Sequence, residues 1–135
     1  MIKIYTSYFG MVKKMRAAGI VPIGIAISPP KWFDGPNIKD VAPRYEMLKW
    51  GNKRYDAEFI NILAKNDPKQ FVEELEILGG GADVAICCYE KPEDRCHRHS
   101  VSWWLNKHLG IDIREWSTNI PIYFNLDKGD YDGGQ

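Results

Sequence analysis

At 135 residues the chain can bury one core without a disulfide or metal staple, so a single domain is the default, and a 44% hydrophobic share with five tryptophans excludes a disordered protein. Eighteen basic residues balance eighteen acidic ones, which leaves no net field to recruit nucleic acid or an anionic membrane; nucleic acid could be a partner only through a local basic patch. Three cysteines cannot all pair, and neither a secretory leader nor an apolar run of about 18 residues is seen, so free thiols in a reducing cytoplasm and no membrane partner are expected.

The chain opens with a short strand over residues 1–6 and a polar turn from Ser7 to Gly10. Met11, Val12 and Met15 then repeat at helical spacing, and Gly19 stands where a helix C-terminal cap belongs. Residues 20–27 are nearly all apolar and rich in β-branched side chains, the pattern of a central parallel strand; Pro22 is tolerable near a strand start. The proline-rich stretch from Ser28 to Pro43 reads as a long connection, either functional or a surface excursion pinned to the core by Trp32 and Phe33.

Residues 45–50 suggest a short helix, and Tyr55, Phe59, Ile62 and Leu63 mark an amphipathic one. Asp67 followed by Pro68 supplies an N-cap and a first-turn proline for a helix that runs to Leu78 and stops at Gly79-Gly80-Gly81. Residues 84–89 form the next strand, a helix spans about 93–109 with Asp94 as a cap, and residues 111–116 offer a last strand. Short apolar strands separated by helices predict an α/β fold: one compact domain over residues 1–126, a mainly parallel sheet flanked by helices as a three-layer sandwich. The tail, residues 127–135, is expected to fray.

All three cysteines and two of the three histidines fall in Cys87-Cys88-Tyr89-Glu90 and Cys96-His97-Arg98-His99. A strand, a polar loop and a helix start in this order bring reactive groups to the carboxyl end of a sheet, where α/β proteins bind ligands. On the helical wheel His97 shares a stripe with Val101, Trp104 and Leu105, while His99 and Trp103 project away from it. Arg98 lies at its margin, within reach of Glu90 or of an anion. Cys96 in the first turn faces unpaired N–H groups that favour a thiolate, although buried cysteine is often only an apolar filler. Zinc is not expected: Cys-x7-Cys-His-x-His lacks the paired spacing of common structural sites, and adjacent helical residues diverge.

Cys88-Tyr89-Glu90-Lys91-Pro92 followed by Cys96-His97-Arg98 resembles the domain of unknown function 488 family. Thr6-Ser7-Tyr8, residues 27–32 and the helix over 55–63 are similar to it as well, so the resemblance spans most of the chain. It implies a small α/β domain of bacteria and their viruses with no established activity.

Two functional expectations stand side by side. One is a small enzyme or ligand-binding domain for an anionic or phosphate-containing molecule, with Cys96 and His97 as catalytic residues and Tyr8, Ser28, Cys88, Glu90 and Arg98 as ligand-binding ones; no cofactor is identified and no metal ligands are assigned. The other is a non-catalytic adaptor for nucleic acid or protein that uses Lys31, Trp32, Lys39, Arg44 and Lys49, with the Cys-His-Arg cluster as architecture.

Overall fold

The computed structural model describes residues 2–90, 96–116 and 120–123. Five strands, β1 (Ile4–Tyr8), β2 (Val21–Gly24), β3 (Val84–Cys88), β4 (Arg114–Glu115) and β5 (Ile120–Pro121), form one sheet in the order β2-β3-β1-β4-β5. The first four run parallel, and β5 joins β4 antiparallel. Parallel neighbours require crossovers, and the chain supplies α1 (Val12–Ala17), α2 (Asn52–Ala64), α3 (Pro68–Leu78) and α4 (His97–Leu109). The α/β sandwich read from the sequence is the observed fold. No helix among the described residues is long and apolar enough to cross a membrane.

Alternation along the strands divides the core in two. Ile4, Ile23, Val84 and Ile86 face α2, α3 and α4, where Phe59, Leu63, Phe71, Leu75, Trp104 and Leu105 close over them. Ala85 and Cys87 face the opposite way, onto Phe9 and onto Val12 and Met15 of α1. Both faces of β3 are therefore buried, and all five of its residues are out of solvent.

Four expectations change. Ser7 and Tyr8, expected in a polar turn, belong to β1, which spans Ile4–Tyr8 rather than residues 1–6. The apolar stretch 20–27 yields an edge strand rather than a central one: β2 pairs only with β3, and its outer side is closed by a bridge from Gly24 to Asn37 in the long connection. The Asn37 side chain accepts from Ala26 N at 3.0 Å and donates to Ala26 O at 2.9 Å, so the loop replaces a neighbouring strand. Within that loop Phe33 is buried but Trp32 is 61% exposed, so only the former pins it fully. Finally, α4 is no one-striped surface helix, because every residue from Arg98 to Leu105 is buried. Packing between the sheet, α3 and the segment after β5 encloses it, with Trp103 packed into the core.

Helix ends follow local chemistry. The Asp67 carboxylate accepts from Lys69 N at 2.9 Å, with Pro68 at the first helical position. Gly110 closes α4 at φ 68°, a left-handed conformation that suits glycine. The predicted cap Asp94 and the tail 127–135 lie outside the described residues. The described start of α4 is His97, with Cys96 as an extended N-cap at φ −148°.

Candidate functional site

The extended backbone of Cys96 decides the geometry of the site. Two consecutive helical residues point about 100° apart, but an N-cap residue lies outside the helix and is free of that divergence. Cys96 can thus turn toward the same point as His97. Opposite them, Cys88 ends β3 on the face shared with Val84 and Ile86. One ligand atom from each of Cys88, Cys96 and His97 falls within 4.8 Å of the others.

Contrary to the expectation of free thiols, Cys88 and Cys96 are bonded as a disulfide, with Cα atoms 7.3 Å apart. Cys87, one residue earlier, points to the other face and remains free and buried; burial pushes its thiol up to about 12. Reactive sulfur is confined to one side of the sheet.

His97 is half-buried. Its Nε2 lies 2.5 Å from the Ile25 carbonyl, which can only accept, so Nε2 carries the proton and Nδ1 keeps a lone pair. That Nδ1 is 3.9 Å from Cys96 Sγ. Burial pulls the imidazole down to about 4, against the Ile25 hydrogen bond, and the ring is neutral at pH 7. Phe59 packs edge-on against it at 5.8 Å and stacks in turn on Tyr55.

Arg98 does not meet Glu90. Its side chain is wholly buried, donating from Nε and Nη2 to the two oxygens of Glu115 at 3.2 and 3.0 Å and from Nη1 to Cys88 Sγ at 3.1 Å. The register that pairs Thr6 with Glu115 explains the choice: β4 lies beside β1, so Glu115 projects onto the same face as Thr6, directly under α4. Thr6 Oγ1 donates to Glu115 Oε1 at 2.6 Å, and His99 Nε2 adds a contact at 3.2 Å. Burial alone would raise the Glu115 carboxyl, but hydrogen bonds from His99, Arg98 and Thr6 and the guanidinium charge hold it at about 2. The network is closed, and Arg98 cannot reach a ligand without breaking it.

Above this floor opens a cleft of about 460 Å³ at the carboxyl ends of β2 and β3. Cys88, Cys96 and His97 line its base, residues 26–28 one wall, and Met47, Trp50 and Tyr55 the other. Ser28 and Glu90 sit exposed on the rim, and the Tyr89 hydroxyl donates to the Ser28 carbonyl at 2.5 Å. Of the residues singled out from sequence, Cys88, Cys96, His97, Ser28 and Glu90 converge on this cleft. Arg98 lies beneath it, and Tyr8 packs against the position of Gly10 instead. Sequence reasoning missed Thr6, Glu115, Trp50 and Tyr55 as site residues. Glu115 had left a signal, as an acid flanked by Trp116 in the short stretch read as the last strand.

Chemically, the base of the cleft offers a sulfur pair, a neutral imidazole with a free lone pair, and the start of a 13-residue helix whose N-cap side chain caps nothing. These can carry thiol chemistry, proton transfer, binding of an anionic group or ligation of a soft metal. The three-ligand grouping departs from what Cys-x7-Cys-His spacing implies. It arises through folding, which brings a strand end to a helix start.

A family model described as the Active DUF488-N3 subclade, DUF488-N3a, matches residues 14–109. No curated protein and no solved structure matches the chain significantly.

Proposed function

The chain belongs to the DUF488 family, and from that premise we propose that it is a small enzyme or ligand-binding domain that takes a small molecule into the cleft over Cys88, Cys96 and His97. The observation that carries this reading is the separation of two layers. The polar groups of Arg98, Glu115 and Thr6 satisfy one another in the interior, whereas the cysteines and His97 line open space. Open space beside polar groups is what a ligand pocket requires. In this reading His97 moves a proton through Nδ1, and an anionic group of the ligand rests on the first-turn N–H groups of α4. Arg98 acts as a positioning residue that fixes Cys88 and the helix. Trp50 and Tyr55 favour a ligand with a flat apolar part. The setting is the cytoplasm, whose thiols open the Cys88–Cys96 bridge.

The test is a thermal-shift screen of reduced, metal-free protein against nucleotides, phosphate esters and oligonucleotides, because a ligand that prefers the native state raises the unfolding temperature. A hit should protect the wild type and lose its effect in Ser28→Trp, which fills the rim without touching the core. Hits unaffected by Ser28→Trp and by Tyr55→Ala would overturn the cleft assignment.

The adaptor reading keeps one observation in its favour: Trp32, Tyr45 and Leu48 are 61%, 72% and 59% exposed near basic residues. Arg44, however, is engaged by Glu46 and Glu58. Salt-dependent oligonucleotide binding abolished by Trp32→Ala would favour this second reading.

A further inference from the structure

We propose that Cys88, Cys96 and His97, with the cysteines reduced, form a zinc site of three protein ligands whose fourth position opens into the cleft. The proposal deepens the reading above, resting on it only for what occupies that fourth position; with the ion bound, His97 Nδ1 is a ligand, so the proton transfer assigned to it there belongs to the metal-free protein.

Four features of the structure support it. First, the three ligand atoms already cluster within 4.8 Å, and His97 Nδ1 is 3.9 Å from Cys96 Sγ. Bonds of about 2.3 Å to sulfur and about 2.0–2.1 Å to nitrogen at tetrahedral angles separate ligand atoms by roughly 3.5–3.8 Å, so small side-chain rotations suffice. Second, the Cα atoms of Cys88 and Cys96 are 7.3 Å apart, beyond the span of about 4.4–6.8 Å usual for bridged cysteines, so the sulfurs can part without the backbones doing so. Third, His97 donates Nε2–H to the Ile25 carbonyl, the supporting hydrogen bond that metal-bound histidines use to fix their tautomer, and this leaves Nδ1 for the ion. Fourth, Arg98 Nη1 donates to Cys88 Sγ, as a second-layer donor does to a metal thiolate.

The donor set selects the ion. Two thiolates and an imidazole are a soft combination suited to zinc, and three protein ligands with an open side mark a reactive rather than a purely structural centre. Because Cys88, Cys96 and His97 all line the cleft, the open side faces it. Disulfide and zinc thiolate are then two states of one sulfur pair. A dithiol reductant gives two electrons and two protons to the Cys88–Cys96 bond and becomes a disulfide itself; zinc next displaces both thiol protons and binds the two sulfurs.

The experiment uses the full chain, reduced with dithiothreitol, desalted anaerobically and titrated with Co²⁺, whose absorption reports tetrahedral thiolate ligation. One Co²⁺ per chain is expected, displaced by Zn²⁺ and absent from oxidised protein. Cys88→Ser and Cys96→Ser should abolish the thiolate band, His97→Ala should weaken binding by at least about tenfold, and Cys87→Ala should leave it in place. If the serine variants fail to fold, alkylation of the reduced wild type gives the same information: zinc should slow iodoacetamide at Cys88 and Cys96 at least about tenfold. Reduced protein that takes up no Co²⁺, or whose two thiols alkylate equally fast with and without zinc, overturns the site. The ligand screen runs on reduced, metal-free protein, so a failed screen with intact Co²⁺ binding sinks the cleft function, and the reverse result sinks only the zinc.

Discussion

Arg98 is the largest side chain among the described residues to be fully buried, and its charge is tolerable only because Glu115 meets it in a two-pronged contact. Lysine carries the charge but not the fork. Arg98→Lys should therefore lower unfolding free energy by roughly 1–3 kcal/mol in urea, and Glu115→Ala, which leaves the guanidinium buried alone, by about 3–5 kcal/mol. Unchanged midpoints in both would show that the pair carries no stability. The same carboxylate sets a pH dependence. Its folded pKa of about 2 lies below the ordinary 4.5, so the unfolded chain binds the proton more readily between those values. The stability it contributes is complete above about pH 4.5 and is lost as pH falls toward 2. Urea midpoints measured across this window should fall less steeply in Glu115→Gln than in the wild type.

Among the elements, the Asn37 clamp has the clearest bearing on the site. Its amide serves both backbone groups of Ala26, next to the Ile25 carbonyl that orients His97. Asn37→Ala orphans those groups at a cost of about 1–3 kcal/mol, and it should also accelerate amide exchange along residues 24–27. Exchange unchanged there would mean that the loop holds β2 by other contacts. Local chemistry made several elements readable in the sequence: the Asp67-Pro68 helix start, Gly110 after α4 and the apolar strand β3 each declare themselves within a few residues. What stayed hidden depends on distance along the chain. Arg98 finds Glu115 rather than nearby Glu90 because β4 pairs with β1, a register no local pattern encodes. Nor does a helical wheel reveal that Cys96 stands just outside the helix, in an extended conformation that lets it face Cys88.

Taken whole, the molecule is a sandwich with its sulfur chemistry sorted by the sheet: β3 sends Cys87 toward α1 and Cys88 toward α4. In an unfolded chain Cys96 has no such preference, since the two neighbouring cysteines lie nearly the same contour length away. Only the pleat tells them apart. The order of folding and oxidation must then matter: protein oxidised in strong denaturant should yield a mixture of Cys87–Cys96 and Cys88–Cys96 crosslinks, whereas protein folded first should yield the second alone, as peptide mapping under non-reducing conditions would reveal. A chain locked in the wrong crosslink would have to turn β3 over, exchanging its two buried faces, before it could fold. Adjacent cysteines on one strand thus make oxidation before folding a trap, and a reducing environment during synthesis a condition for reaching the native sulfur pairing.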